Sequence, residues 1–459
     1  MIHRYQKKGL NFVLDVNSGA VHLLDDISYA VSGLLDENMG DTCPQSIIDA
    51  LPDYTADEIR EAYGELYELK KAGQLFAEDD YIDVSRYIPV GAPVKALCLH
   101  VAHDCNLRCK YCFASTGDFG QGRKIMPPEI AKKAIDFVIA RSGVRHNIEV
   151  DFFGGEPLMA WDTVTQTVDY ARSLEEKHNK KFRFTITTNG LLLDEDKRKY
   201  INENMDNCVL SLDGRREVND EFRKTVAGTG SYDTIVPKFK ALVDERDPNL
   251  DYYARGTFTS HNLDFAEDVL SIADAGFDRL SVEPVTADPG CGYDLTEDDL
   301  PKIEAEYDRL TDIMLERKKE GKPFTFFHFM VDLDQGPCVV KRLRGCGAGY
   351  EYVAVTPDGD IYPCHQFVGK DEFKQGSVLD QSFDMDIAQK FAGMNIYSRP
   401  KCQKCWAKFY CSGGCSAANY NMNHDMNDSY DLGCEMERKR LECAIYLKAM
   451  DKICANQSK

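Results

Sequence analysis

Short apolar runs alternate with longer amphipathic stretches through the middle of the chain. The apolar runs have the length of strands, and they lie at residues 96–102, 148–153, 182–187, 208–212, 252–259 and 280–285. Helical periodicity occurs between them, for example at 128–141, 194–204, 264–275 and 296–319. This order of six strands and helices predicts an α/β fold with a parallel sheet, arranged as a partial (β/α)6 barrel. In such barrels, functional residues lie at the carboxyl ends of the strands.

The first 86 residues follow a different pattern. Residues 10–14 and 21–24 predict a hairpin, and helical patterns follow at about 25–36, 44–52 and 56–73. The last helix begins at the capping box Thr55–Glu58 and ends at Gly73, before an extended segment at about 75–84. We predict a small winged-helix-like domain, whose role is either packing and dimerisation or recognition of a partner. Residues 87–93 predict a linker.

Length and charge narrow the possible classes of function. A chain of 459 residues suggests about three domains, which we place at 1–86, 94–322 and 336–459. The net charge of −21 argues against a nucleic-acid partner, because nucleic-acid binding relies on basic contacts to phosphate. Neither a secretory signal nor an apolar run of membrane-spanning length occurs, so we expect a cytoplasmic location and no membrane association.

Cysteine usage points to metal chemistry. The chain has 17 cysteines and no export signal, and disulfides are uncommon in reducing compartments. Cys105, Cys109 and Cys112 form a C-x3-C-x2-C triplet directly after the first strand. Three thiolates can hold three irons of a 4Fe–4S cube and leave the fourth iron open for another ligand. A zinc knuckle is the alternative, but zinc needs a fourth ligand.

A second group of cysteines lies near the C-terminus. Its members are Cys346, Cys364 in a G-x4-C segment, Cys402, Cys405, Cys411, Cys415 and Cys434. Glycines at 345, 347, 349, 413 and 414 allow the tight turns that bring several thiolates together. A zinc-ribbon-like scaffold is the alternative for this region.

The triplet, with Tyr111 before its third cysteine, resembles the signature of the radical S-adenosylmethionine (SAM) superfamily. Gly154-Gly155-Glu156-Pro157, after the second strand, is similar to the family motif that contacts the SAM amino group. The resemblance implies that SAM binds the open iron and is cleaved to a 5′-deoxyadenosyl radical. It also implies cofactor-binding roles for residues at the later strand ends: Asn189, Ser211, Arg223 and Val285. For Arg223, a surface salt bridge is the alternative.

The C-terminal cysteines resemble the SPASM extension of radical SAM enzymes, which holds two auxiliary 4Fe–4S clusters. The resemblance implies an outer set of ligands, Cys402, Cys405, Cys411 and Cys434, and an inner set, Cys346, Cys364 and Cys415. We therefore expect three clusters in all. Two fully ligated cubes need eight thiolates, so either Cys338 completes the inner set or its cluster has an open iron that binds a substrate thiolate.

The whole layout resembles the maturases of SCIFF (six-cysteine) peptides, which join a Cys sulfur to a carbon as a thioether. The resemblance implies a cysteine-rich precursor peptide whose leader binds the N-terminal domain, and a reductant such as a ferredoxin or flavodoxin. The auxiliary clusters would bind the thiolate or remove an electron. Formylglycine formation, carbon–carbon crosslinking and a non-enzymatic electron carrier are the alternatives. Sulfatase-modifying relatives have an Asp after the G-x4-C cysteine, where this chain has His365, a candidate proton acceptor.

Overall fold

A computed structural model describes residues 1–85, 91–333 and 339–457. Cys338 and most of the expected linker at 87–93 lie outside these residues.

The N-terminal region is a three-stranded antiparallel sheet followed by helices. The strands are β1 (Ile2–Lys7), β2 (Leu10–Asp15) and β3 (Val21–Leu24), in the spatial order β1-β2-β3. The helices are α1 (Asp26–Ser32), α2 (Gln45–Ala50), α3 (Ala56–Lys71) and α4 (Ile82–Ser85). The capping box at Thr55 and Glu58 is present at the start of α3. Two predictions were wrong: β1 was not expected, and residues 75–84 form no strand but lead into α4.

The centre of the fold is a parallel sheet that confirms all six predicted strands. These are β4 (Ala96–His103), β6 (Asn147–Gly154), β7 (Lys181–Thr188), β8 (Asn207–Ser211), β9 (Asp251–Phe258) and β10 (Arg279–Pro284). The short strand β5 (Lys124–Ile125) pairs with β4, and β11 (Thr325–Phe326) extends the sheet beyond β10. The helices are α5 (Pro128–Arg141), α6 (Trp161–His178), α7 (Glu195–Asn204), α8 (Arg216–Phe222), α9 (Tyr232–Asp244), α10 (Phe265–Asp274) and α11 (Leu300–Lys319).

The C-terminal region continues the same sheet. Its strands are β12 (Tyr352–Val355), β13 (Asp360–Tyr362), β14 (Gly376–Ser377) and β15 (Ser382–Phe383). β12 pairs in parallel with β4, so the sheet is open, with β11 and β15 at its two edges. The helices are α12 (Val339–Arg344), α13 (Met385–Gly393), α14 (Pro400–Gln403), α15 (Lys408–Cys411), α16 (Ser416–Asn423) and α17 (Asp431–Gln457).

The two faces of the central sheet have different environments because side chains alternate along each strand. On β6, Ile148, Val150 and Phe152 are fully buried in the main hydrophobic core. On the opposite face, which we call the lumen face, Asp151 and Phe153 are only partly buried. The lumen face is therefore available to bind ligands.

The N-terminal domain packs directly on the C-terminal region. The ring of His3 stacks on Trp406 with 3.8 Å between ring centroids, and His3 Nε2 lies 2.9 Å from Glu442 Oε1. Lys408 Nζ donates to Asp79 Oδ2 at 2.8 Å, and Lys408 lines the same pocket as the outer-set cysteines. The N-terminal domain is thus integrated with the rest of the fold. No described helix combines the length and the apolar character needed to cross a lipid bilayer.

Candidate functional site

The triplet lies on the loop that follows the carboxyl end of β4. Two backbone hydrogen bonds join this loop to the segment around the end of α8: Arg108 N donates to Lys224 O at 2.7 Å, and Lys110 N to Phe222 O at 3.1 Å. The loop forms one wall of a cavity of 260 Å³. The cavity opens at the carboxyl edge of the parallel strands, where ligand sites of such sheets occur.

The structure brings the expected cofactor-binding residues together around this cavity. Its lining includes Cys105, Cys109, Tyr111, Cys112, Gly154, Gly155, Glu156, Asn189, Ser211, Arg223, Val285 and His365. These residues come from loops and strand ends spread over some 260 positions of the sequence, from Cys105 to His365. A single space thus connects the triplet with His365, which follows an inner-set cysteine.

The thiols of the triplet suit a metal cluster better than a free nucleophile. Burial raises the pKa of Cys105 and of Cys109 to about 12. Thiols in such surroundings keep their protons at neutral pH unless a bound metal displaces them. The donor set of three soft ligands on one loop therefore fits an iron–sulfur cluster.

Glu156 joins two neighbouring strand ends. Its carboxylate accepts hydrogen bonds from Leu158 N at 3.0 Å, Asn189 N at 2.8 Å and the Thr188 hydroxyl at 2.8 Å. Burial raises the pKa of Glu156 to about 7, although the three hydrogen bonds act to lower it. No cation of the described chain contributes to the shift. An ammonium group in the cavity would supply the missing positive charge.

The glycines before Glu156 are needed for packing between strand ends. A Cβ atom at Gly155 would lie 2.1 Å from the carbonyl oxygen of Asp104, and one at Gly154 would lie 2.2 Å from that of Ala102. Gly154 also has a φ of +123°. These glycines therefore allow the end of β6 to approach the end of β4 and the start of the triplet loop closely. They also form part of the cavity wall.

Asn189 connects β7 to the triplet loop. Its side-chain amide donates to Asn106 Oδ1 at 2.8 Å and lies 3.6 Å from Cys105 Sγ. Asn106 was not identified as a site residue from the sequence. Its position between Cys105 and Cys109, two candidate ligands, could have indicated a role in the site.

Arg223 and Tyr111 share one buried acid, Asp213. Arg223 Nε lies 3.0 Å from Asp213 Oδ1, and the Tyr111 hydroxyl donates to Asp213 Oδ2 at 2.6 Å. This ion pair is buried, so the surface salt bridge considered for Arg223 does not describe it. Asp213 was not identified as a site residue from the sequence, although it lies two positions after Ser211.

A second ion pair on the lumen face was also missed. Arg255 on β9 pairs with Glu283 on β10, and both line the cavity. Burial opposes ionisation of Glu283, but Arg255 and His328 hold its pKa below the usual value. The pair presents one cation and one anion to whatever enters the cavity.

His365 lies at the inner end of the cavity. Its ring packs against Phe153 and Phe113, with 5.0 Å and 5.6 Å between ring centroids, and its Nδ1 lies 3.4 Å from the Tyr352 hydroxyl. Burial lowers its pKa to about 4, so the imidazole is neutral at pH 7 and can accept a hydrogen bond or a proton.

The four cysteines of the outer set surround a second cavity. Cys402, Cys405, Cys411 and Cys434 line a space of 320 Å³. Polar groups face their sulfurs: Arg438 Nη1 lies 3.9 Å from Cys405 Sγ, and Ser429 Oγ lies 3.5 Å from Cys402 Sγ. Within residues 1–85, 91–333 and 339–457, no three His, Cys, Asp or Glu side chains converge closely enough to hold a single metal ion. The four thiols line one cavity, and four thiolates are the donor set that a 4Fe–4S cluster takes.

The three cysteines of the inner set influence one another. Burial raises the pKa of Cys364, and the neighbouring thiols of Cys415 and Cys346 raise it further. Cys338 lies outside the described residues, so the origin of an eighth ligand stays a prediction.

Comparison with known proteins agrees with this arrangement. The profile of the radical SAM superfamily matches residues 99–251, and that of the SPASM iron–sulfur cluster-binding domain matches residues 346–406. A cysteine-type anaerobic sulfatase-maturating enzyme of Clostridium novyi is 25% identical, over 72% of this chain and 90% of its own. The mycofactocin maturase MftC of Mycolicibacterium smegmatis is 26% identical, over 72% of this chain and 79% of its own.

Solved structures share the fold. Native anSMEcpe with bound AdoMet superposes with a TM-score of 0.64 and 21% identity, covering 80% of this chain and 100% of its own. Streptococcus suis SuiB bound to the precursor peptide SuiA superposes with a TM-score of 0.53 and 17% identity, covering 93% of this chain and 97% of its own. The two matching domain types imply 4Fe–4S clusters and SAM as cofactors. Along the chain, the match to the radical SAM superfamily at residues 99–251 is thus followed by the match to the SPASM iron–sulfur cluster-binding domain at residues 346–406.

Proposed function

We propose that the protein is a radical SAM enzyme that installs thioether crosslinks in a ribosomally made, cysteine-rich precursor peptide. The observation that carries the proposal is the shared cavity, in which the triplet and His365, next to inner-set Cys364, line the same space. A reaction that joins a sulfur to a carbon needs the radical source and the thiol-binding site to face one substrate segment.

Three 4Fe–4S clusters would be held by the triplet, the inner set and the outer set. When bound, SAM and the first cluster supply a 5′-deoxyadenosyl radical for hydrogen abstraction, while the auxiliary clusters bind the substrate thiolate or remove an electron. A ferredoxin or flavodoxin is the expected class of reductant.

The side chains around the cavity would orient the two reactants. Glu156 would accept hydrogen bonds from the SAM ammonium group, and Arg223, held by Asp213, would bind its carboxylate. Ser211 and Val285 would contact its ribose and adenine. Neutral His365 would take the proton of the substrate thiol, and the Arg255–Glu283 pair would hydrogen-bond the peptide.

The N-terminal domain would bind the leader of the precursor peptide. β3 lies at an edge of the three-stranded sheet and pairs on one side with β2, so an extended peptide can add as a fourth strand. The fold similarity to SuiB, which has been solved with its precursor peptide, supports this role.

Co-expression with a cysteine-rich peptide encoded near the gene tests the proposal. Mass spectrometry should find the peptide lighter by two hydrogen atoms per crosslink, with the linked cysteines blocked from alkylation. Cys105→Ala should abolish the change, whereas Cys291→Ala, at an exposed cysteine outside the three ligand groups, should leave it intact. An unchanged peptide, in the presence of protein that holds its clusters and cleaves SAM, would contradict thioether formation.

Formylglycine formation is the second candidate, because sulfatase-maturating enzymes are among the similar proteins. His365 argues against it, since an Asp is expected at that position in those enzymes. Anaerobic incubation with SAM, reductant and a sulfatase-derived cysteine peptide separates the two. Capture of an aldehyde by a hydrazide probe would support formylglycine formation, and SAM cleavage without any aldehyde would favour the thioether reaction.

A further inference from the structure

Arg399 is a buried cation next to the outer set. The residue is 3% exposed, and it directly precedes α14, the short helix that carries Cys402. Its carbonyl oxygen accepts a hydrogen bond from Cys402 N at 3.0 Å. The backbone of Arg399 is therefore part of the ligand loop.

The guanidinium of Arg399 extends from this loop towards the inner set. It donates to the carbonyl oxygen of Gly413, which lines the outer cavity, and to the hydroxyl of Ser416 at 3.0 Å. Ser416 directly follows Cys415, an inner-set ligand. The cation thus lies where the two ligand sets meet.

Gly413 provides the space for this guanidinium. A Cβ atom at position 413 would lie 2.2 Å from Arg399 Nη1, and the φ of Gly413 is +86°. No other residue type fits this position without moving Arg399 or straining the backbone.

The cation has no carboxylate partner in the part of the chain that the structure describes, and its Nε has no hydrogen-bond acceptor. Burial lowers the pKa of Arg399, whereas the thiols of Cys402, Cys411, Cys415 and Cys346 raise it. Buried charges in proteins are normally paired, because an unpaired one loses its hydration without compensation. The acceptors of its hydrogen bonds, Gly413 O and Ser416 Oγ, lie beside Cys411 of the outer set and Cys415 of the inner set, so cysteines of both sets are the groups that can compensate Arg399.

We propose that Arg399 is the shared counter-charge of the two auxiliary iron–sulfur sites. The inference rests on the proposed function, since it requires clusters at both sets. A fixed cation between them stabilises the reduced, more negative state of each cluster, and net charge is one of the factors that set a cluster's reduction potential. Arg399 would therefore keep both auxiliary potentials higher than the ligands alone would.

Redox titration of the reconstituted holoenzyme, followed by electron paramagnetic resonance, tests this role. Arg399→Gln should lower the midpoint potentials of both auxiliary clusters, and Arg399→Lys, which keeps the charge, should lower them less. Arg438→Gln is the matched control, because Arg438 lines the outer cavity, where its Nη1 lies 3.9 Å from Cys405 Sγ, and should shift only the outer potential. Cys402→Ala and Cys346→Ala assign each signal to its set.

Thermal unfolding provides a second measurement, and Arg399→Lys replaces Arg399→Gln in it if the Gln variant does not retain its clusters. Relative to wild type, Arg399→Gln should lower the unfolding temperature of the holoenzyme more than that of the cluster-free chain, where the cation is unpaired. Unchanged potentials in a variant that retains its clusters, or equal destabilisation of both forms, would overturn the role of Arg399. A wild-type protein without auxiliary signals would instead overturn the cluster assignment, and this role with it.

Discussion

Arg223, which lines the cavity, forms a buried ion pair with Asp213, with 3.0 Å between Nε and Oδ1. The Tyr111 hydroxyl donates to the same carboxylate, so one acid orients two expected cofactor-binding side chains. Asp213 is not among the residues that line the cavity, so it would act on the cofactor through Arg223 and Tyr111, as a positioning residue.

Asp213→Asn should weaken SAM binding about tenfold or more, because loss of a charged hydrogen-bond partner costs about 1.5–3 kcal/mol. Equilibrium binding of SAM to the anaerobic, reconstituted protein measures the effect. Asp196→Asn, at an exposed position on α7, should leave affinity unchanged. Equal SAM affinity in the Asp213 variant and wild type would contradict the positioning role.

Gly155→Ala should prevent the triplet loop from packing on β6, since its Cβ would lie 2.1 Å from Asp104 O. We expect a loss of about 2 kcal/mol or more in the free energy of unfolding and a loss of iron from the triplet. Gly64→Ala provides the matched control, because nothing lies within 4 Å of its Cβ and the site is within α3. That change should stabilise the protein by about 0.5–1 kcal/mol. Chemical denaturation and iron analysis measure both effects, and similar stabilities for the two variants would refute the packing argument.

Asn189→Ala should make the triplet cluster more labile, because it removes the side-chain hydrogen bond to Asn106 inside the ligand loop. The rate of iron loss to a chelator should rise several-fold, about as expected for one lost hydrogen bond. Asn204→Ala removes a comparable bond, to Tyr200 O within α7, and should not change the rate. Equal rates for both variants would show that Asn189 does not hold the loop.

Asp151, on the lumen face of β6, makes stability depend on pH. Burial raises its pKa from 3.8 to about 7, Glu149 raises it further, and a hydrogen bond from Thr185 lowers it. The folded state therefore binds this proton more tightly than the unfolded state, and stability falls as pH rises from about 4 to about 7. Asp151→Asn should remove this dependence and stabilise the cluster-free protein at pH 8, but not at pH 4, by an amount on the order of 1 kcal/mol.

Thermal unfolding of wild type and variant across this pH range provides the measurement. Exposed Asp53→Asn should behave like wild type. An Asn variant with the same pH dependence as wild type would show that the Asp151 carboxyl ionises normally.

Local patterns predicted the central strands because each is buried on the helix face and is long enough to form an apolar run. β1 was missed because its sequence, IHRYQK, is largely polar, and within it only Tyr5 and Lys7 are buried. β12 has four residues, and its partner β4 lies more than 250 positions earlier in the chain. Such a long-range pairing has no local signal.

The sequence predicted those parts of the candidate site whose residue spacing is typical of a chemical role. These are the cysteine groups and the glycines before Glu156. The residues that support it were not, because their roles arise from contacts between distant strands. Asp213, Asn106 and the Arg255–Glu283 pair are each ordinary polar residues in sequence. Arg399 was missed for the same reason, since its burial depends on the space left by Gly413.

The parallel pairing of β12 with β4 joins the two cysteine-rich regions through four consecutive residue pairs, from Tyr352 opposite Ala96 to Val355 opposite Leu99. A hinge between them would have to break these backbone hydrogen bonds. Hinge opening between the central sheet and the C-terminal region is therefore opposed by this pairing. A peptide substrate of the proposed reaction would therefore enter a gap of fixed width, and the distances between the proposed cluster sites would stay the same at every turnover.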